Sequence, residues 1–164
     1  MEKGRRYSPA ETASISRVSA DVQREWRRRG LMPFEKARSS AQEWTSFDLK
    51  EVAALTIMRV LSECGTPLAT ARKTAMASAT HVVMFIAERL GGAAAIALRK
   101  KFKLKRGKAP ERFAATGADV IPKLTDSIDD VFHDMVSPAV ISLDLDAVAR
   151  LIIDRATKPI VEEP

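Results

Sequence analysis

The stretch Ser8–Gly30, SPAETASISRVSADVQREWRRRG, constrains the fold more than any other part of the chain. Ser8 and Pro9 form an N-cap and a first helical residue. The serine hydroxyl accepts from a free backbone N–H, and proline has no N–H to leave unpaired. PAETASI gives a short helix, and Ser16–Val18 a tight turn. Ser19 caps a second helix, ADVQREWRRR, which Gly30 closes as the residue just past its C-terminus. Two short helices joined by about three residues make a helix-turn-helix, whose second member suits the major groove of DNA.

On the second helix Val22 and Trp26 lie four apart and are expected to share a face. Packing into the domain is preferred for Trp26 over offering its indole N–H to a phosphate. Arg24, Arg27 and Arg28 form another side, with Gln23 adjoining Arg24 and Arg27 at helical spacing. Such a side can neutralise phosphates and release counterions; the plainer reading is a solvated face that keeps the protein soluble. Ser19, Ala20, Asp21 and Gln23, near the helix start, are the candidates for base edges, since glutamine can bind adenine through two hydrogen bonds. Arg17 at the corner can reach the DNA backbone or guanine.

The charge distribution agrees. The chain has 164 residues and a net charge of +6, and residues 1–40 hold ten Lys/Arg against five Asp/Glu. RKKFKLKRGK at 99–108 adds seven cations and no acid, and from Asp119 onward acids outnumber bases. An apolar content of 46% excludes wholesale disorder. Cys64 is the only cysteine and His81 and His133 the only histidines, so one chain can build neither a disulfide framework nor a cysteine-rich zinc site. Cys64 is expected to be a small packing residue. No apolar run approaches the ~18 residues of a membrane span, and MEKGRRY leads into no signal core. A soluble, cytoplasmic, nucleoid-associated protein without a cofactor is expected.

Further along, LMPFEKARSSAQEW reads as a hairpin loop in which Lys36 and Arg38 contact backbone or minor groove. TSFD at Thr45–Asp48 resembles a capping box. Ala54, Ile57, Met58 and Leu61 mark the inner face of the helix that follows. ECGTPL breaks it, and Thr66 and Pro67 start another. There Met76, Ala79, Val83, Ile86 and Leu90 form a heptad seam two heptads long. It fits packing within the domain and an intermolecular coiled coil equally well, and it is the candidate dimerisation surface. Gly91-Gly92 is the best boundary.

KFKLK alternates as an exposed strand does. Its lysines would protect a sheet edge, or else the 99–108 run is a second DNA contact. ERFAAT and PAVISL read as strands, with DVIPKLTDSIDDVFHDM amphipathic between them. DLDAVARLIIDRA reads as a helix with Leu145, Val148, Ala149 and Ile152 on one side, and Asp144 and Asp146 at its start. The division expected is 1–68 for the helix-turn-helix, 69–90 for a linking helix, and 91–164 for a small α+β domain. Asp126, Asp129, Asp130, His133 and Asp134 are the one cluster that hints at metal or acid–base chemistry. With no second His or Cys nearby, a solvated acidic face is preferred.

Together these residues resemble the winged-helix domain of MerR-type transcription regulators over Tyr7–Ala75. Tyr7, Glu11 and Ala13 match its first helix and Val18-Ser19 its turn. REWRRRGLMP is similar to the family's Arg-Tyr-Tyr-Glu-Arg-Glu-Gly-Leu-Leu-Pro, EWTSFDL to its wing exit, and LSECGTPLATA to the step between its last two helices. The chain departs from the pattern at Arg17, where the family has glycine, and at Thr12, where it has leucine. Glu25 and Trp26 replace its tyrosine pair, and Gln42 replaces the arginine of the wing. The resemblance implies a MerR-like winged helix-turn-helix; with the linking helix and the small C-terminal α+β domain read from the residue patterns, a mainly α protein is expected. It implies a non-enzymatic regulator that binds double-stranded DNA, with Gln42 among its DNA contacts; a homodimer is expected, and the C-terminal domain would dimerise, sense something or bind a partner protein. The rival readings are an excisionase-like recombination or architectural factor, and a protein-interaction module or antiactivator without specific DNA binding.

Overall fold

The computed structural model describes residues 5–34, 46–104, 107, 109–117, 122–134 and 140–161, without the side chains of 132–134. Within them the order is α1 (Pro9–Ser16), α2 (Ala20–Arg28), α3 (Leu49–Glu63), α4 (Leu68–Leu90), α5 (Gly92–Lys101), β1 (Phe113–Gly117), β2 (Lys123–Thr125), α6 (Ile128–Asp134), β3 (Val140–Asp144) and α7 (Leu145–Arg155). The protein is mainly α, with a small antiparallel sheet in the order β2-β1-β3 near its C-terminus. Ala114 faces Leu124 on one side and Leu143 on the other.

The first helix begins as its sequence dictates. Ser8 Oγ accepts from the Glu11 N–H at 3.2 Å, and the Glu11 carboxylate accepts from the Ser8 N–H at 2.9 Å. Arg5 and Lys158 also approach Glu11, at 3.1 and 3.4 Å. The Ser8 backbone N–H does most to pull the Glu11 carboxyl down to about 2, with the Ser8 hydroxyl, Arg5 and Lys158 adding to it against burial. A carboxyl held below its unfolded value of 4.5 stabilises the fold above that value and loses its contribution as pH falls toward about 2. Glu11→Gln keeps an acceptor for the cap but cannot titrate. Its stability deficit against the wild type should therefore shrink across that pH window in urea titrations; a constant deficit would contradict this account.

The Tyr7 N–H and C=O pair with Phe47 at 2.7 and 2.8 Å. Tyr7 therefore stands just ahead of α1, in an isolated bridge, and not in the first helix as the resemblance placed it. The capping box expected at Thr45–Asp48 begins instead at Asp48. Asp48 accepts from the Glu51 N–H at 2.8 Å, and Glu51 accepts from the Asp48 N–H at 2.7 Å. Asp48 thus opens the box where TSFD had it closing one; Thr45 is outside the described residues. Cys64, expected in the packing, is the exposed C-cap of α3.

α3 is the central helix, with Ala54, Ile57, Met58 and Leu61 fully buried. α4 packs along it and also against α5, α7 and β1. This decides the fate of the heptad seam. Ala79, Val83 and Ile86 are 0% exposed within one chain, so they cannot also meet a second copy. Of the five seam residues only Met76 and Leu90 reach the surface, at its two ends. The seam is core because α3 and α7 already cover it.

α7 buries the four residues that its sequence spacing marks, Leu145, Val148, Ala149 and Ile152. The Asp144 carboxylate caps it, accepting from the Asp146 and Ala147 N–H groups at 3.0 and 3.2 Å. One hydrophobic cluster runs from Tyr7 to Ile160, so the core does not stop at Gly91, where the chain only turns between α4 and α5. Three contacts fasten the C-terminal segment to α1 and its lead-in. Tyr7 Oη donates to the Ile160 carbonyl at 3.1 Å, Arg155 donates to the Ile15 carbonyl at 3.2 Å, and Lys158 pairs with Glu11. Burial raises the Tyr7 hydroxyl to about 12, so it stays a donor.

KFKLK is not a strand. α5 runs through Lys101, and Lys103 takes a left-handed φ of 52° just past it. The Leu104 N–H then bonds the Arg99 carbonyl at 2.9 Å, a Schellman closure. This turn sends both Phe102 and Leu104 toward the core, which the alternating pattern mimics.

Candidate nucleic-acid interface

α1 and α2 meet at a corner built by Ser16, Arg17 and Val18. Arg17 caps α1 in the left-handed conformation, φ 60°, with its N–H on the Ala13 carbonyl. An L-residue there costs about 1–2 kcal/mol, which glycine avoids. The Ser16 hydroxyl donates to the Thr12 carbonyl at 2.7 Å and accepts from the Val18 N–H at 3.2 Å. Ser19 then opens α2, its hydroxyl accepting from the Val22 N–H at 3.3 Å. At the far end Gly30, φ +65°, closes a Schellman motif: Leu31 bonds the Trp26 carbonyl at 2.8 Å and Gly30 the Arg27 carbonyl at 2.9 Å.

The inward face of α2 differs from the one expected. Trp26 packs into the core, 8% exposed, so its indole belongs to the domain and not to DNA. Val22, expected beside it, is 39% exposed, and Gln23 takes the inward place at 2%. Gln23 Nε2 donates to the Val18 carbonyl at 2.8 Å and to the Pro9 carbonyl at 3.3 Å. Its amide N–H groups thus satisfy backbone at the corner and do not present themselves to a base edge. Gln23 is a positioning residue that ties α2 to the start of α1. Gln23→Met keeps the bulk but strands the Val18 carbonyl, at about 1–3 kcal/mol. It should weaken DNA binding alike on every sequence. Relaxed preference at one base pair, measured on a panel of point-substituted duplexes, would restore the base-reading role.

The outward face carries the cations. Arg24 and Arg28 are 69% and 75% exposed at their side chains. Each is paired along the helix, Arg24 with Asp21 and Arg28 with both oxygens of Glu25, at 2.9 and 2.8 Å. The shared hydrogen bonds lower Glu25 and raise Arg28. Ion pairs this exposed contribute little to stability, because water and salt screen them, so a phosphate can displace the carboxylate at little cost. Arg27 is half-buried; Arg17, Ser19 and Asp21 are exposed and Ala20 half-exposed. The structure therefore leaves Arg17, Ser19, Ala20, Asp21, Arg24 and Arg28 on the accessible side of the corner.

Lys36, Arg38 and Gln42, the expected wing contacts, lie outside the described residues. Sequence reasoning overlooked three further cations. Arg29 follows α2 and is exposed, and its place in the RRRG run could have signalled it. Arg6 donates to the Ser46 carbonyl at 2.8 Å, holding the chain where it leads into α3. Arg72 on α4 donates to the Met32 carbonyl at 3.1 Å, fixing the segment after α2. No periodicity marks either of those two.

Among the described residues no group of His, Cys, Asp and Glu could hold a metal ion, and no helix is long and apolar enough to cross a membrane. Asp130 accepts from the Thr125 hydroxyl at 3.2 Å, a local turn contact. The side chains of His133 and Asp134 are outside the described set.

The family model described as MerR HTH family regulatory protein matches residues 7–77. No curated protein and no solved structure matches the chain.

Proposed function

We propose that this protein is a sequence-specific regulator of transcription, a reading supported by the match of residues 7–77 to the MerR HTH family model. It binds double-stranded DNA as a homodimer at the nucleoid in the cytoplasm. The observation that carries this reading is the outward arginine face of α2, held on a corner whose other face is locked by Gln23 and Trp26. Ser19, Ala20 and Asp21 lie at the helix start, where a helix in the major groove meets base edges. One reading helix gives limited affinity, and two copies on two half-sites multiply it. Since Ala79, Val83 and Ile86 are buried within the chain, the second copy is met on another surface.

Footprinting of the purified protein on genomic fragments tests the reading. One palindromic site with half-sites about 34–36 Å apart, beside a promoter, is the expected result. Direct repeats beside an attachment site would replace the regulator by a recombination factor, and the absence of any specific site would end the proposal.

Arg17 offers a sharper test. A left-handed arginine where glycine would be unstrained is a local cost that a phosphate or guanine contact explains. Arg17→Gly should raise stability by about 1 kcal/mol and at the same time weaken DNA binding several-fold. A variant that gains stability and binds as before would remove Arg17 from the interface.

A further inference from the structure

The reading helix leaves the cations at the end of α5 unexplained. They are not on a sheet edge, because 99–101 are helical. Complementing the α5 dipole accounts for cations in its last turn only, and Lys103 lies past that turn. The left-handed turn at Lys103 drives Phe102 and Leu104 inward and leaves Lys100, Lys101 and Lys103 exposed. Arg99 is paired with Glu88 at 3.7 Å, and residues 92–110 contain no Asp or Glu. The three lysines thus gather exposed positive charge at this end of the helix.

Its position matters more than its charge. Lys101 Nζ donates to the Arg5 carbonyl at 3.2 Å. The next residue, Arg6, is exposed and donates to Ser46, close to the Tyr7–Phe47 bridge. Four residues from Arg5, the Pro9 carbonyl accepts from Gln23 of α2. Four residues span at most about 14 Å. The end of α5 and the foot of α2 are therefore tied to the two ends of one short segment.

We propose that Lys100, Lys101 and Lys103, with Arg6, form a second phosphate-contacting surface that extends the DNA footprint beyond α2. It contacts backbone and carries no sequence preference, because lysines meeting phosphates position a protein without reading bases. The proposal rests on the DNA-binding reading above.

The test replaces Lys100, Lys101 and Lys103 together with glutamine in the full chain. Anisotropy titrations follow a specific and a random duplex across a salt series, with hydroxyl-radical footprints beside them. The variant should lose on the order of tenfold in affinity on both duplexes and reduce the salt slope by about 3. It should also lose the outer edge of the footprint while central protection persists. Lys100→Gln with Lys103→Gln spares the Lys101 bond to Arg5, and should reduce the slope by about 2 if the triple variant folds poorly. A wild-type slope and footprint in the variants overturns this surface and leaves the regulator standing. If the wild-type protein shifts no duplex even at low salt, the regulator itself falls, and this surface with it.

Discussion

Replacing Arg24 and Arg28 together with alanine will lower affinity for duplex DNA by roughly tenfold to a hundredfold and flatten its salt dependence by about 2 in slope. Both side chains are well exposed, and each is paired with a carboxylate one turn away. In the complex a phosphate takes the place of that carboxylate. Removing the arginines therefore acts twice: two phosphate contacts go, and Asp21 and Glu25 are left as bare negative charges facing the backbone. The two effects separate in a variant that also carries Asp21→Asn and Glu25→Gln. Neutralising the acids should restore part of the affinity but none of the slope, because counterion release follows the contacts made and not the net charge. Salt-series titrations give both numbers. If the alanine variant keeps the wild-type slope, α2 does not lie against DNA, and the proposed function loses its main support.

The second large effect is on stability. Ile86→Ala should cost about 3 kcal/mol, the usual range for deleting a buried branched side chain. Ile86 is 0% exposed on α4, whose neighbours are α3, α5, α7 and β1. Met76→Ala and Leu90→Ala, at the exposed ends of the same seam, should each stay within about 0.5 kcal/mol. Urea unfolding at two protein concentrations distinguishes the seam as core from the seam as dimer interface. A core residue gives the same deficit at both concentrations, whereas an interface residue gives one that changes with concentration by mass action. A concentration-dependent deficit at Ile86 would return the seam to the interface.

Local chemistry was legible in the sequence wherever one residue type has one strong use. Ser8, Pro9, Ser19 and Gly30 marked where α1 starts and where α2 starts and stops, because caps and left-handed closures are decided within a few residues. α7 was legible for the same reason, since Asp144 caps it and its four buried residues follow helical spacing. Partners distant in sequence were not legible. Gln23 looks like a surface residue until the Val18 and Pro9 carbonyls are seen to need its amide. Val22 looks like its neighbour Trp26 until the helix is seen to present only the Gln23–Trp26 side inward. The seam of α4 fits a second copy as well as it fits α3 and α7, because a heptad does not say whose helix covers it. KFKLK misled because a left-handed lysine can place two flanking apolar residues on one side, as a bulge or turn does, without a strand. At the candidate interface, the residue types and the outward arginines were readable, but the inward turn of Gln23 was not.

The hydrogen bond from the Tyr7 hydroxyl to the Ile160 carbonyl joins residues 153 apart in the chain. Its consequence lies in the order of synthesis. The helix-turn-helix leaves the ribosome first, yet α7 and the segment to residue 160, which fasten α1, leave about ten seconds later at ordinary elongation rates. Nascent or prematurely ended chains should therefore hold the reading helix less firmly than finished ones. Fragments that stop before α7 should then bind duplex DNA less tightly than the full chain.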